Sequence, residues 1–343
     1  MMDGLGLDGV DTGETKRNMV AKKPNLFLIG APKCGTTSLA SWLAAHPQVF
    51  FSPIKEPHFF STDLETRRVF GGKEYNKLFI GADAGHAIVA EGSTNYLYSQ
   101  SAVRNIEQYT RQARYIVCLR PPDEMAVSLH SHNLFSGNEH IRDFAEAWRL
   151  SSERRVGRRV RFWCREPRNL DYERVCKLGE QVERLLNTVG TDRFLPVLLE
   201  DLVNDPAESA KRILSFLGID QSFALSLPHL NRAKERGSQS IQNVVQVASL
   251  VKRRIGVKKE FGFATKIGRA NTRRRAPVQP SPTFRSELRG MVVDEVSKLS
   301  SLIGRDLSHW TETASAELPG PAAASRKTGG QSSPPVGVVD QIS

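Results

Sequence analysis

Cysteine is scarce, four residues in a chain of 343, and no two of them stand in a Cys-x-x-Cys pair. That scarcity excludes a disulfide scaffold and a cysteine-bound zinc site, so Cys34, Cys118, Cys164 and Cys176 are expected as reduced, unpaired thiols of a cytosolic protein. No apolar run approaches the roughly eighteen residues of a membrane span, and the opening stretch, Met1 to Thr15, is acidic and glycine-rich rather than basic and then apolar. The expectation is a cytoplasmic chain without a span or a secretory leader. Zinc-finger spacing, an aromatic RNA-binding motif and a basic zipper are missing as well, which counts against nucleic acid as a partner. Acidic residues are the minority, 37 against 48 lysines and arginines, and the resulting charge of +11 favours an anionic ligand or partner. Charge alone does not choose among a phosphorylated cofactor, an acidic glycan, nucleic acid and a membrane surface.

With 39% hydrophobic residues the chain is long enough to bury one large α/β core. Short apolar runs, Leu26 to Ile29, Ala87 to Ala90, Tyr115 to Leu119 and Phe194 to Leu199, have the length and continuity of strands covered on both faces. Helical periodicity separates them over Thr37 to Ala45, Ala102 to Tyr109, Tyr172 to Val189 and Ala207 to Leu217, the last closed by Gly218. The alternation predicts a three-layer, doubly wound α/β domain on a parallel sheet, over residues 24–311. Residues 1–23 lack apolar periodicity, and 312–343 are rich in Gly, Pro and Ser; both are expected to be disordered. Three basic stretches, Arg149 to Arg168, Lys252 to Lys259 and Lys266 to Arg275, read either as solvated faces or as a surround for an acidic ligand.

The most informative segment runs from Asn25 to Leu39: a buried strand, a loop holding Gly30, Lys33 and Gly35, and the first turn of a helix. Gly30 and Gly35 have Walker A spacing, yet Thr36 stands where that motif needs lysine, which disfavours an ordinary ATP or GTP site. Backbone N–H groups from Lys33 through Cys34, Gly35, Thr36 and Thr37 to Ser38 can still form an anion nest at a helix start, with the Thr36, Thr37 and Ser38 hydroxyls as further donors. A second signal is the strand Tyr115 to Leu119, which delivers Arg120 where open α/β sheets bind ligands, followed by Pro121-Pro122 and a helix bearing Ser128. Phosphate-loop NTPases carry a magnesium-binding aspartate at that strand end. An arginine there suits a second anion, not a metal.

Pro32-Lys33-Cys34-Gly35-Thr36-Thr37, together with Arg120 and a serine eight residues on at Ser128, resembles the sulfotransferases that use 3′-phosphoadenosine 5′-phosphosulfate. Lys55-Glu56-Pro57-His58-Phe59-Phe60 is similar to the Glu-x-x-Phe-Phe region of their carbohydrate, heparan-type branch and its bacterial relatives. Glu91 to Leu97, Glu200-Asp201-Leu202 through Phe216-Leu217-Gly218, and Leu302 to Trp310 resemble further segments of that branch, so the resemblance covers Asn25 to Trp310. Two departures are Thr94 in place of the usual proline, and Gly92 where some heparan-modifying members carry lysine.

The resemblance implies that the loop binds the 5′-phosphosulfate and that Arg120 and Ser128 bind the 3′-phosphate. It further implies that Lys33 stabilises charge on the leaving phosphate and that Glu56 is the general base. A base of this kind is expected to have a raised pKa. His58 is expected either to orient Glu56 or to act as base itself, Glu91 to anchor the site, and Phe59 and Phe60 to be core. The implied activity is sulfuryl transfer to a hydroxyl, with an amine as second choice, of a glycan or other small acceptor, without a metal. The alternatives are a kinase with an altered phosphate loop and an inactive module that binds nucleotide or polyanion.

Overall fold

Continuous apolar runs become a parallel sheet because each strand is covered on both faces. Five strands form it: β1 Leu26–Gly30, β2 Val49–Phe51, β3 Ile88–Gly92, β4 Arg114–Leu119 and β5 Phe194–Leu198, in the order β2-β3-β1-β4-β5. Every residue of β1 and β3 is buried, and β4 is buried except at Arg114. Leu26 of the central strand pairs with Ala90 on one side and Arg114 on the other. The computed structural model describes residues 21–224 and 279–312, together with the backbone of two short antiparallel strands, β6 Lys234–Arg236 and β7 Thr272–Arg274. The stretch Lys252 to Lys259, most of Lys266 to Arg275, most of the N-terminal segment 1–23 and the tail beyond Glu312 lie outside the described residues.

Among the described residues the helices are α1 Thr36–Ala45, α2 Gly72–Lys77, α3 Ala102–Tyr109, α4 Pro122–Ser136, α5 Phe144–Arg149, α6 Ser151–Arg155, α7 Tyr172–Val175, α8 Leu178–Val189, α9 Leu199–Asn204, α10 Pro206–Leu217, α11 Pro282–Met291 and α12 Val293–Ile303. From β1 the chain runs outward to β2 and back to β3; after β4 it turns to the opposite flank and β5. The connections leaving β1 and β4 therefore diverge, and a crevice opens beyond their carboxyl ends.

The doubly wound α/β architecture matches the sequence pattern, with local differences. The expected helix from Tyr172 to Val189 is two helices, because Glu295 of α12 accepts from the Glu180 amide at 3.0 Å and so caps a fresh helix start. At the same junction a Cβ on Gly179 would lie 2.7 Å from the Glu295 carbonyl, so α8 docks closely on α12. The strand expected over Ala87 to Ala90 is shifted to Ile88–Gly92, and the one expected to reach Leu199 stops at Leu198, where α9 begins. Gly218 does close α10, in the left-handed conformation with φ 67°.

Arg149 to Arg168 proves in part to be structural. Arg154 is fully buried against Glu139, with Nη1 at 2.7 Å from Oε2, and Arg155 forks onto Asp171 at 2.8 and 3.1 Å. These arginines tie α6 to its neighbours rather than facing a ligand.

Candidate active site

β1 ends against a backbone that leaves no room for side chains. A Cβ on Gly30, at φ 152°, would approach the Thr94 carbonyl to 2.9 Å, and one on Gly35, at φ 84°, would meet Leu199 Cδ1 at 2.8 Å. Gly35 thus supplies the left-handed turn that starts α1 and has no side chain to cap it. The first amides of α1 are left open as an anion nest with a partial positive charge. Thr36, Thr37 and Ser38 line a cavity of about 640 Å³ above this turn. Lys33, itself at φ 65°, lines the same cavity, and its ammonium has no hydrogen-bond partner among the described residues. Burial, then the nearby Arg120 charge and that of Lys55, push its pKa below the ordinary lysine value. Cys34 turns inward, donating to the Pro32 carbonyl at 3.4 Å, and burial pushes its thiol up to about 12, so only its backbone is available to a ligand.

Arg120 at the end of β4 lies across the crevice from the loop. Its Nη1 donates to the Lys33 carbonyl at 3.3 Å, Nη2 meets the Glu124 carboxylate, and Nε is buried without a partner. Ser128, two turns along α4, lines the same cavity. The two sequence signals, with Lys33 and Arg120 87 residues apart, therefore converge on one space.

A third wall comes from the segment after β2. Glu56 at φ 63° and His58 at φ 50° flank Pro57 in the left-handed region, a conformation that costs about 1–3 kcal/mol each and concentrates at functional sites. The segment is stitched to the end of β3: the Glu56 amide donates to the Gly92 carbonyl at 2.8 Å and the His58 amide to Ser93 Oγ at 3.0 Å. Oε2 of Glu56 accepts from the Thr94 amide at 2.8 Å and hydroxyl at 3.1 Å and lies 3.1 Å from His58 Nε2; Oε1 meets Lys55. Burial alone would raise the Glu56 carboxyl, but hydrogen bonds and charge from His58 and Lys55 outweigh it and hold the group at about 2. The raised pKa expected for this residue is thus corrected: Glu56 is a fixed carboxylate, because cations and donors surround it. His58 is buried, with Nδ1 unpartnered, in the place of an orienting group for Glu56.

Glu91 is where the raised carboxyl lies. It is fully buried and accepts from Tyr75 at 2.9 Å, Ser93 at 2.6 Å and Tyr96 at 3.0 Å; burial pushes it up to about 7 against those three donors. Ser93 links Glu91 to the His58 amide, so Glu91 anchors the loop from beneath and does not line the cavity. Phe60 is core, and Phe59 is half-buried, stacked on Tyr75 at 4.4 Å.

Sequence reasoning missed His132, Arg68, Glu166 and Asn169, which also line the cavity. His132 had a signal, its place one helical turn beyond Ser128. It is open to cavity water but walled in by protein; that enclosure, then the Lys33 charge, pushes its imidazole down to about 4. Arg68 and Glu166 stand on irregular segments and Asn169 in a single 3-10 turn, Pro167–Leu170, where no periodicity points to a site.

A family model described as "Sulfotransferase domain" matches residues 23–260. Over 167 residues the chain is 28% identical to carbohydrate sulfotransferase 15 of Mus musculus, covering 36% of this chain and 29% of that one. It is 26% identical over 196 residues to heparan sulfate glucosamine 3-O-sulfotransferase 6 of Homo sapiens, covering 57% and 52%. The matches thus span well under two thirds of these relatives' length. Among solved structures, a sulfotransferase from Alicyclobacillus acidocaldarius superposes with a TM-score of 0.64 at 25% identity, covering 85% of this chain and 100% of that chain.

Proposed function

The chain belongs to the sulfotransferase domain family, and on that premise we propose that it moves a sulfuryl group from 3′-phosphoadenosine 5′-phosphosulfate to a hydroxyl of a carbohydrate-containing or other small acceptor. An amine is the second choice of acceptor group. The observation that carries this reading is the convergence of two anion sites, the open start of α1 and the end of β4, on one cavity beyond the diverging connections of β1 and β4. A donor with phosphates at both ends of its ribose fits that pair. The unpartnered, buried Nε of Arg120 and the uncapped amides of α1 are the features that fit it. When bound, the donor supplies a sulfuryl group attached to a phosphate leaving group.

In this scheme the loop amides and the hydroxyls of Thr36, Thr37 and Ser38 hold the 5′ side, while Arg120 and Ser128 hold the 3′-phosphate. Lys33 donates to the oxygen on which charge grows as the bond to sulfur breaks, an effect worth about 3–4 kcal/mol for a preorganised donor. Glu56 accepts the acceptor's proton. Its low basicity suits a loose transition state, which asks little of the nucleophile and needs a group that positions the hydroxyl more than one that ionises it. His58 and Thr94 hold that carboxylate in place. No step requires a metal, since the loop amides and Lys33 balance the leaving charge. Two relatives with carbohydrate acceptors in their names support a sugar-containing acceptor.

Calorimetry without Mg²⁺ tests the reading, with adenosine 3′,5′-bisphosphate, adenosine 5′-monophosphate and ATP as titrants. Micromolar binding that needs the 3′-phosphate and weakens at least tenfold in Arg120→Ala is expected. Preference for ATP with Mg²⁺ would overturn it in favour of a kinase.

A further inference from the structure

We propose that Glu124 is a built-in competitor for the phosphate that Arg120 holds, loosening the grip of the site on its nucleotide product. The inference rests on the donor reading given above. Of the three guanidinium nitrogens of Arg120, Nη1 reaches the Lys33 carbonyl, Nε is buried and unpartnered, and Nη2 is engaged by the Glu124 carboxylate. Arg120 is 20% exposed, whereas Glu124 is 43% exposed. The carboxylate therefore reaches the guanidinium from the solvent side and can leave it without being stranded in the interior.

Glu124 also lies in the first turn of α4, where a negative charge is favoured by the helix terminus whichever way the side chain points. Releasing Arg120 consequently costs it little. The neighbouring Asp123 differs: it is buried and committed to Arg289 at 3.2 Å. Of the two acids at this helix start, one is structural and the other is free to exchange.

A phosphate approaching Arg120 must part the guanidinium from Glu124 or share it with a like charge. Either way part of the attraction is cancelled, and it is cancelled for substrate and product alike, because both carry the same 3′-phosphate. The site gains faster product departure at the expense of affinity. In turnover limited by product release, this raises the rate.

The test titrates adenosine 3′,5′-bisphosphate and adenosine 5′-monophosphate, without Mg²⁺, into the wild type, Glu124→Gln, Glu124→Asp, Arg120→Ala and the Arg120→Ala/Glu124→Gln double variant. Product off-rates are measured by stopped flow, and folding is checked by the thermal midpoint. Removing the competing charge in Glu124→Gln is expected to tighten the bisphosphate about twofold to fivefold, the scale of one half-exposed ion pair. Its off-rate should slow to match, with monophosphate binding unchanged and the gain absent once Arg120 is alanine. Glu124→Asp, a methylene shorter, should move in the same direction. Unchanged or weaker bisphosphate binding in a folded Glu124→Gln, with a wild type that still prefers the bisphosphate, would overturn the proposal and make Glu124 a support for Arg120. A wild type blind to the 3′-phosphate would instead refute the donor reading, and this inference with it.

Discussion

Lys33 and Glu56 are opposite cases of the same electrostatics. Each faces the cavity, but burial and then the charges of Arg120 and Lys55 lower the basicity of Lys33, while His58 and Lys55 outweigh burial at Glu56 and keep its carboxyl ionised in the resting site. Lys33→Ala is expected to cut kcat by about 10²–10³ while changing bisphosphate affinity far less, a split that steady-state kinetics and calorimetry together resolve. Because the protonated amine is the working form and its pKa is depressed, kcat should fall on the alkaline side, beginning below the ordinary lysine value of 10.5. That limb should vanish from the residual activity of Lys33→Ala. Glu56, held at about 2, stays ionised throughout, so no limb between pH 4 and 6 should respond to Glu56→Asp. A limb there that moved with the substitution would return the carboxyl to a conventional base.

At the scale of elements, the segment bearing Glu56 and His58 is held in a left-handed conformation only because the end of β3 supports it. Ser93 is the joint, accepting from the His58 amide and donating to Glu91. Ser93→Ala leaves a buried donor and a buried acceptor unsatisfied and should cost about 1–3 kcal/mol by urea unfolding, with a loss of kcat greater than any loss of nucleotide binding. Glu91 adds a pH dependence of definite sign. Its carboxyl is raised from 4.5 to about 7 in the fold, so the native state keeps a proton that the unfolded chain has released. The stabilisation is complete below pH 4.5, declines as pH rises toward 7 and is gone above it, a change on the order of 3 kcal/mol. Thermal midpoints of Glu91→Gln between pH 5 and 8 should lack that decline; parallel curves for variant and wild type would refute the assignment.

Among the described residues of the whole molecule, some arginines hold the fold, others face solvent, and Lys33, Lys55, Arg68 and Arg120 face the cavity. Arg154→Ala leaves Glu139 charged and fully buried and should cost about 3–5 kcal/mol. Arg159→Ala, from a side chain 69% exposed, should stay within about 0.5 kcal/mol. Urea midpoints measure both, and bisphosphate binding to the folded variants should be unchanged. Strands β1, β3, β4 and β5, the loop before α1, the strand-end Arg120 and the helix carrying Ser128 were legible in the sequence, because apolar runs and glycine spacing are local properties; the three-residue edge strand β2 was not, being too short to show a run. The break between α7 and α8 was not, because a carboxylate 115 residues away makes it. Nor was the depressed pKa of Glu56, which depends on what the fold brings around it, nor Arg68, Glu166 and Asn169, whose segments carry no period. The sequence by itself determined which residues stand in the glycine-bearing loop before α1 and at the end of β4, because those are matters of local order along the chain. Only the tertiary structure decided that they face one cavity and what charge each carries there, because proximity and burial are properties of the folded chain.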